Sequence, residues 1–256
     1  MSRVVGLLSW YDEAPSWLAA SVSSFGRHLD HLVAVDGPYS AYPHGGVVRS
    51  DPAQVEVIQR TCDAMGIGLT LYQPTEPFFG NEVEKRTLAF RLAQTVTDTS
   101  DWIWVFDADE VMASAPDDLR TRLNYVESNV VEVTLSQHND YDEAGNVAQH
   151  VGLPPRSQHD MRMLFRALPD LRVQGNHYTY VAGPADDPVY LWGVDTLPLE
   201  HTTRIPEVEV EHRTHRRSAH RKAASHEYYR TRDALGLERT GVRMMESPDG
   251  RMEVVA

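Results

Sequence analysis

The stretch Trp102-Ile103-Trp104-Val105-Phe106-Asp107-Ala108-Asp109-Glu110 decides the fold that we expect for this chain. Its first five residues are large and apolar without polar alternation, a pattern typical of a strand buried on both faces of a parallel sheet. Two carboxylates, Asp107 and Asp109, follow at once. Because ligands of parallel α/β sheets bind beyond the carboxyl ends of the strands, the stretch predicts an acidic site at the mouth of a buried strand.

Upstream of this stretch, three apolar runs alternate with helical patterns. The runs cover residues 4–8, 32–35 and 69–72, and helices are predicted over 16–25, 52–65 and 81–96. The middle helix begins at Asp51-Pro52, an N-cap followed by proline in the first turn. Four strands separated by three helices favour right-handed crossovers and a mostly parallel, Rossmann-like α/β sheet with helices on both faces. We therefore predict a nucleotide-binding half over residues 1–110.

Downstream, the pattern changes to shorter strand-like runs among glycine and proline. Strands are predicted over 130–135, 161–165, 178–181 and 189–192, which indicates a mixed-sheet half over 111–205. From about Pro206 the chain is charged throughout, and we predict a basic helical segment with a loose tail over 206–256. The expected organisation is one domain, 1–205, with a C-terminal helical appendage.

Composition and charge narrow the classes of function. With 41% apolar and 24% charged residues, the 256-residue chain is expected to fold as an ordinary globular protein. The net charge of −13 argues against a surface that tracks nucleic acid along its whole length, since such binding needs clustered cations. No apolar run approaches the roughly 18 residues of a membrane span, and no signal-peptide pattern opens the chain, so a cytoplasmic protein is expected.

The two aspartates at the mouth of the central strand require a balancing charge. Asp107 and Asp109 would repel one another unless a cation or solvent stood between them. Mg²⁺ or Mn²⁺ prefers oxygen ligands and binds through one or two carboxylates together with substrate phosphates, which matches an Asp-x-Asp turn. A solvated acidic turn is the alternative. An EF-hand calcium loop is disfavoured, because Val111 and Met112 stand where it needs an oxygen ligand and glycine.

Five segments extend this pattern over most of residues 3–180. They are Leu7-Leu8-Ser9-Trp10-Tyr11-Asp12-Glu13, Val33-Ala34-Val35-Asp36-Gly37, Gly80-Asn81-Glu82-Val83-Glu84-Lys85-Arg86, the motif ending Asp107-Ala108-Asp109-Glu110, and Arg162-Met163-Leu164-Phe165-Arg166 followed by Gly175-Asn176-His177. In this combination the chain resembles the family 2-like GT-A glycosyltransferases. It departs from them at Tyr178, where many members carry an acidic residue, and in lacking a clear acidic pair for their usual catalytic base.

The resemblance implies roles for several of these residues. Asp36 and the Asp12-Glu13 pair would contact a uracil-like base or the ribose, and Lys85 or Arg86 would lie near the donor. Asp109 would ligate the metal directly, and Asp107 would reach the ribose or a metal-bound water. Taken singly, Asp12, Glu13 and Asp36 fit helix caps and turns equally well.

Two further roles rest on single residues. His177 is the predicted third metal ligand, since imidazole suits manganese, and His201 and His212 compete with it. Asp160 is the predicted catalytic base, because it precedes the strand that should border the acceptor pocket.

The run from His212 to Lys222 is the strongly cationic stretch of this acidic chain. One interpretation is a solvated amphipathic helix paired with neighbouring glutamates. A second is a lid in which Arg216 and Arg217 fold over the donor's diphosphate and neutralise the leaving group. A third is a patch that faces nucleic acid.

Taken with the resemblance to family 2-like GT-A enzymes, these patterns predict a metal-dependent glycosyltransferase. It would move a sugar from a nucleoside-diphosphate sugar, with UDP-sugars favoured, to a hydroxyl of a protein, small molecule, glycan or modified DNA base. The resemblance favours inversion at the anomeric centre. The alternatives are a metal-dependent phosphohydrolase or nuclease, a nucleotidyltransferase, which would normally carry a glycine-rich phosphate loop after the first strand, and a non-catalytic binding module.

Overall fold

The first half of the chain alternates strands and helices in the predicted order. The computed structural model of the protein describes residues 2–79, 82–138, 156–175, 179–193, 201–213, 219–234, 243–246 and 252–255. The elements of the first half are β1 (Val4–Ser9), α1 (Pro15–Gly26), β2 (His31–Val35), α2 (Pro52–Met65), β3 (Gly68–Tyr72), α3 (Glu82–Gln94) and β4 (Trp102–Asp107). All four predicted strands and all three predicted helices of this half are confirmed.

Helix α2 begins and ends where its sequence indicates. The Asp51 carboxylate accepts a hydrogen bond of 2.8 Å from the Ala53 backbone N–H, as an N-cap does. The helix ends at Gly66, whose φ of 68° lies in the left-handed region that glycine adopts most readily. Just before α3 the Glu84 carboxylate accepts a hydrogen bond from the Phe79 backbone N–H.

The four strands of the first half form a parallel sheet in the order β3-β2-β1-β4. Both faces of this sheet are covered. Leu8, Trp104 and Phe106 pack towards α1 on one face, with the Phe25 and Phe106 rings stacked at 4.1 Å between centroids. Val5 and Ile103 belong to a second apolar cluster, which also contains residues of α3. Burial on both faces explains why the strands lack polar alternation.

The second half continues the same sheet with mixed pairing. Its elements are β5 (Glu110–Ser114), α4 (Leu119–Leu123), β6 (Val130–His138), β7 (Arg156–Arg166), β8 (Arg172–Val173), β9 (Tyr180–Ala182), β10 (Val189–Trp192) and β11 (Thr202–His212). The eight-stranded sheet has the order β3-β2-β1-β4-β7-β6-β11-β5, and β10-β9-β8 form a small second sheet. Strand β4 is the junction, since it pairs parallel with β1 and antiparallel with β7. The predicted α/β architecture with a mixed second half is confirmed.

Residues 206–212 correct the sequence prediction. They were expected to begin a basic helix, but they form the second half of β11, which lies between β6 and β5. The run EVEVE alternates with a period of two, and Val208 and Val210 are fully buried while Glu207 is exposed. This alternation is the signal of a strand, and the density of charges obscured it. The predicted boundary at residue 205 therefore falls inside a sheet strand.

The helical prediction is right further along the chain. Helix α5 covers Ala219–Ala234, and a hairpin of β12 (Arg243–Glu246) and β13 (Met252–Val255) follows where a loose tail was expected. Among the helices described in the structure, none has the length and apolar character needed to cross a membrane.

Candidate active site

The carboxyl ends of the parallel strands meet at one edge of the sheet, as the sequence predicted. Ser9 at the end of β1 is in register with Val35 of β2 on one side and with Asp107 of β4 on the other. The residues that follow each strand are therefore neighbours in space. This edge brings together the loops that begin at Trp10, Asp36 and Ala108.

A two-residue turn presents the Asp-x-Asp motif at this edge. Strand β4 ends at Asp107 and β5 begins at Glu110, so only Ala108 and Asp109 lie between them. The Asp107 backbone N–H donates to the Glu110 carboxylate at 2.9 Å, which ties the two ends of the turn together. The Asp107 side chain is 35% exposed, whereas that of Asp109 is only 3% exposed.

Each aspartate of the motif has a cationic partner within the protein. Two hydrogen bonds of 3.1 and 2.8 Å join the Arg86 guanidinium to the two carboxylate oxygens of Asp107. The His212 Nε2 atom lies 3.1 Å from Asp109 Oδ2. The mutual repulsion inferred from the sequence is thus relieved by side chains of α3 and β11.

Burial and charge shift the protonation of this cluster. Burial raises the pKa of the Glu110 carboxyl to about 8, and the neighbouring Asp107 carboxylate adds to the increase. Burial alone would lower the pKa of the His212 imidazole, but the Asp109 carboxylate outweighs it and the pKa rises to about 9. At neutral pH the cluster therefore favours a protonated Glu110 and a cationic His212.

The carboxylates of Asp107 and Asp109 and, once it has lost its proton, the imidazole of His212 would suit a divalent cation. Carboxylate oxygen and imidazole nitrogen together fit Mn²⁺, and carboxylate oxygens fit Mg²⁺. Within the described ranges no group of three or more His, Cys, Asp or Glu is already arranged to hold a metal. A bound ion would take over Asp107 from Arg86.

Beside the motif lies a cavity of about 230 Å³ whose floor is the mixed half of the sheet. Gln137 of β6, His212 of β11 and Glu110 of β5 form one row of its lining, since each is paired in register with the next. His159 and Met161 of β7 line the cavity from the same face, being two residues apart on a strand.

The other walls come from α3 and from the small sheet. Glu82 and Arg86 of α3 line one side. Tyr180 of β9 and Trp192 of β10 line another, and their rings stack at 5.3 Å between centroids. The other face of Tyr180 stacks on the buried Phe165 at 4.7 Å, so the aromatic wall is anchored in the core.

Asp36 lies at the predicted strand end, but its carboxylate is fully engaged. It is 0% exposed and accepts hydrogen bonds from the backbone N–H groups of Gly37 and Ser50, from the Ser50 hydroxyl and from the Gln73 side chain. These bonds close the loop after β2 onto the sheet. In this conformation the residue is not open to a nucleobase.

Lys85 is likewise buried rather than directed at the cavity. Its ammonium donates to the backbone carbonyls of Trp10 and Gly37 at 2.6 and 2.7 Å, so it ties the loop after β1 to the loop after β2. Burial lowers its pKa to about 7, against the opposing effect of Asp36 and other nearby carboxylates.

The Asp12-Glu13 pair divides into an exposed and a buried residue. Asp12 is exposed, with a φ of 49° that places it in the left-handed region, and its backbone N–H donates to Ser50 Oγ at 2.9 Å. Glu13 is 4% exposed and accepts a 2.8 Å hydrogen bond from Arg221 of α5. One cation of the predicted lid thus reaches the loop after β1.

Asp160 is not brought to the cavity. Its neighbours His159 and Met161 line the cavity, whereas Asp160 is not among the lining residues. The Asp160 carboxylate instead forms an ion pair of 2.8 Å with Arg204. This placement speaks against Asp160 as the catalytic base.

Of the three candidate histidines, His212 is the one that the described structure places beside the motif. His201 precedes the start of β11, at the far end of that strand from His212, and lines a separate depression with Tyr125. His177, Arg216 and Arg217 lie outside the described residues.

The aromatic wall and the internal cations were not identified from the sequence. Tyr180 and Trp192 belong to short strands that were predicted without a functional role. The ion pair between Arg221 and Glu13 joins residues 208 positions apart, and neither carries a local signal for the other. The alternation of 207–211 predicts a strand that ends at His212, which is a sequence signal for His212 over His177 and His201 as the third metal ligand.

Comparison with known proteins gives little further information. No protein-family model matches the sequence, and no curated protein matches it. Among solved structures, the chain is similar to a protein from Bacillus anthracis assigned as a glucose-1-phosphate thymidylyltransferase and crystallised with a sucrose. The identity is 10%, the match covers 64% of this chain and 72% of that chain, and the TM-score is 0.36. A TM-score of this size carries no inference about function.

Proposed function

We propose that the protein is a divalent-metal-dependent glycosyltransferase that moves a sugar from a nucleoside-diphosphate sugar to a hydroxyl acceptor, with UDP-sugars favoured as donors. The observation that carries this proposal is the cluster of Asp107, Asp109 and His212 at the carboxyl ends of the parallel strands. A ring-sized cavity opens directly beside the cluster. The resemblance of the surrounding motifs to family 2-like GT-A enzymes supports a nucleotide sugar as the donor and inversion at the anomeric centre.

In this proposal Asp107, Asp109 and His212 hold Mn²⁺ or Mg²⁺. The ion, when bound, supplies Lewis-acid stabilisation for the departing nucleoside diphosphate. Arg86 stands 2.8 Å from Asp107, and its planar fork fits phosphate oxygens, so it adds a second positive charge beside the leaving group. Tyr180 and Trp192 form the aromatic wall of the same cavity.

The test compares two aspartates that differ in their position relative to the cavity. Asp109→Asn should weaken Mn²⁺-dependent UDP binding by at least about 100-fold and abolish hydrolysis or transfer from a UDP-sugar. Asp160→Asn, the same chemical change at a carboxylate that pairs with Arg204 and does not line the cavity, should leave both unchanged. Calorimetry measures binding, and release of UDP from UDP-sugars measures turnover. Activity that survives in Asp109→Asn with chelator present would refute the metal-dependent mechanism.

The rival functions predict different results in the same assays. A metal-dependent phosphohydrolase or nuclease could use Asp107, Asp109 and His212 for water activation. Such an enzyme would release phosphate from a simple phosphate ester, with no need for a nucleotide sugar. A non-catalytic binding module would bind UDP equally well with Mn²⁺ and with chelator.

A further inference from the structure

The order of the strands places a ligand crevice beside the loop that follows β1. From β1 the chain continues to β2 and β3 on one side of the sheet, whereas β4 lies on the other side of β1. In parallel α/β sheets, ligands bind beyond the carboxyl ends of the strands, where the strand order reverses in this way. The loop after β1, residues 10–14, is therefore one wall of the expected crevice.

Residues from outside this loop hold its backbone in place. The Asp12 backbone N–H donates to Ser50 Oγ at 2.9 Å. The Trp10 carbonyl accepts a hydrogen bond of 2.6 Å from the Lys85 ammonium. Of these two bonds, the one from Lys85 has a charged donor and is therefore of the stronger kind.

Lys85 also joins this loop to the loop after β2. The same ammonium donates to the Gly37 carbonyl at 2.7 Å. Lys85 is 2% exposed and lies over the rings of Tyr39 and Phe78, at 5.6 and 5.8 Å from their centres. Gly37 has a φ of 108°, and a Cβ there would overlap the Pro74 ring, so close packing sets the path of the second loop. That packed loop is the anchor against which Lys85 holds the first.

The charged and the neutral forms of Lys85 would hold the two carbonyls with different strength. A hydrogen bond from a charged donor is about twice as strong as one from a neutral donor. Burial lowers the pKa of Lys85 to about 7, against the opposing effect of nearby carboxylates. The charged and titratable groups that face it are Asp36 and Tyr39 after β2, Glu82 and Arg86 of α3, and Asp107 at the end of β4. Near neutral pH, a small change in pH therefore alters the strength of the bridge.

We propose that Lys85 is a positioning residue whose charged form holds the loop after β1 in the arrangement that binds the nucleotide, and that loss of its proton loosens this loop. Lys85 acts through the two loops, since it is buried and bonded to both. The proposal rests on the proposed glycosyltransferase function and adds a control of its donor affinity by pH. Because the charged form favours binding, the affinity should fall as the pH rises through about 7.

The first of two tests needs no nucleotide. Lys85 and Lys222 are the two lysines of the sequence, so ¹³C-labelled lysine gives two side-chain NMR signals, which Lys222→Arg assigns. We expect the Lys85 signal to titrate near pH 7. The backbone amide signals of residues 10–13, 37 and 39 should change with the same midpoint, and Lys85→Met should abolish that change.

The second test measures the affinity for UDP with saturating Mn²⁺ in the parent and in Lys85→Met, whose side chain has a similar length and no charge. The parent should bind about tenfold more tightly than the variant at pH 6, but only about twofold more tightly at pH 8. The ratio cancels the titration of groups that both proteins share. Thr87→Val removes a 3.3 Å hydrogen bond from the same helix to the Val173 carbonyl, and its ratio to the parent should not change with pH.

The possible results separate a positioning role from a purely structural one. The proposal is wrong if the amides of the two loops do not follow the Lys85 titration, or if the affinity ratio is the same at pH 6 and pH 8. A Lys85 signal that titrates above pH 9 would also overturn it. If Lys85→Met does not fold, the NMR titration of the parent decides. Absence of UDP binding at every pH would refute the proposed function instead, while loops that follow the Lys85 titration would still support the positioning role.

Discussion

The pairing of Asp109 with His212 links the candidate metal site to the stability of the fold. The imidazole has a pKa of about 9 in the folded protein against 6.5 for the free side chain. A raised pKa of this kind gives stability that is fully present below pH 6.5 and is lost as the pH rises through 9. The contribution is at most about 3 kcal/mol.

This predicts that, with chelator present, the free energy of unfolding falls between pH 6.5 and 9. Urea unfolding at several pH values measures the slope, and His212→Gln should flatten it. The Glu110 carboxyl, whose folded pKa is about 8 against 4.5, acts in the same direction, since stability then falls as the unfolded state ionises. The variant Glu110→Gln separates the two contributions. A slope that is identical in His212→Gln and the parent would contradict the role of the imidazole.

Arg86 competes with a metal ion for Asp107, and its removal should expose that competition. Arg86→Met leaves the carboxylates of Glu82 and Asp107 without their buried partner, so we expect a loss of about 3 kcal/mol of stability. Mn²⁺ should restore part of this loss. Thermal unfolding with and without Mn²⁺ should therefore show a larger metal-induced increase in Tm for Arg86→Met than for the parent. An equal increase in both would mean that Asp107 does not bind the ion.

Residue types could be assigned to the site from the sequence, but their pairings could not. Asp107 and Asp109 were identified because an apolar strand ended in carboxylates. The cations that balance them come from 21 residues upstream, at Arg86, and from β11 far downstream. Such pairings depend on how helices and strands pack, which local periodicity does not encode.

At the scale of elements, Arg221 holds helix α5 against the loops that follow β1 and β2. Its guanidinium donates to Glu13 at 2.8 Å and to the Tyr42 hydroxyl at 2.5 Å, and it lies 5.4 Å from the centre of the Tyr42 ring. Tyr228 lies about two turns further along the helix, on the same side. It is buried and packs near Tyr39 and Tyr42. These contacts cover the edge where a nucleotide is expected to bind.

Arg221→Leu should release the first turns of α5, because it leaves Glu13 buried without its ion pair. We expect faster hydrogen exchange and faster limited proteolysis within 219–234, with the parallel sheet still protected. Lys222→Leu removes the adjacent cation and should change neither rate. Equal protection of α5 in the parent and Arg221→Leu would show that other contacts hold the helix.

The element that sequence reasoning misassigned shows why the second half was harder to predict. Each parallel strand of the first half is an apolar run, so its type is clear without knowledge of its neighbours. Strand β11 is half polar, and its glutamates lie on a face whose exposure is set by the pairing with β6 and β5. A strand in which apolar and charged residues alternate is easily mistaken for a charged helix when most of its residues are charged.

For the molecule as a whole, β11 makes the second half and the C-terminal segment one folding unit. A chain ending at residue 205 would lose the strand between β6 and β5, together with the buried Val208 and Val210. We expect it to lack a cooperative thermal transition by circular dichroism. A chain ending at residue 213 keeps the whole strand and should retain that transition. Cooperative unfolding of the 205-residue chain would contradict this assignment.

The burial of Lys85 makes the protein a selective target for amine chemistry. Lys85 and Lys222 are the two lysines of the sequence, and Lys85 is only 2% exposed while bonded to two carbonyls. Of the two lysines, an amine-reactive dye should therefore mark Lys222, beside the Arg221 anchor, with the α-amino group reacting as well. Peptide mapping separates the two labels, and the one on Lys222 reports on α5 without any engineered cysteine. Modification of Lys85 requires the loops after β1 and β2 to separate, because its ammonium joins them. The rate of that slow modification would therefore report how often these loops open.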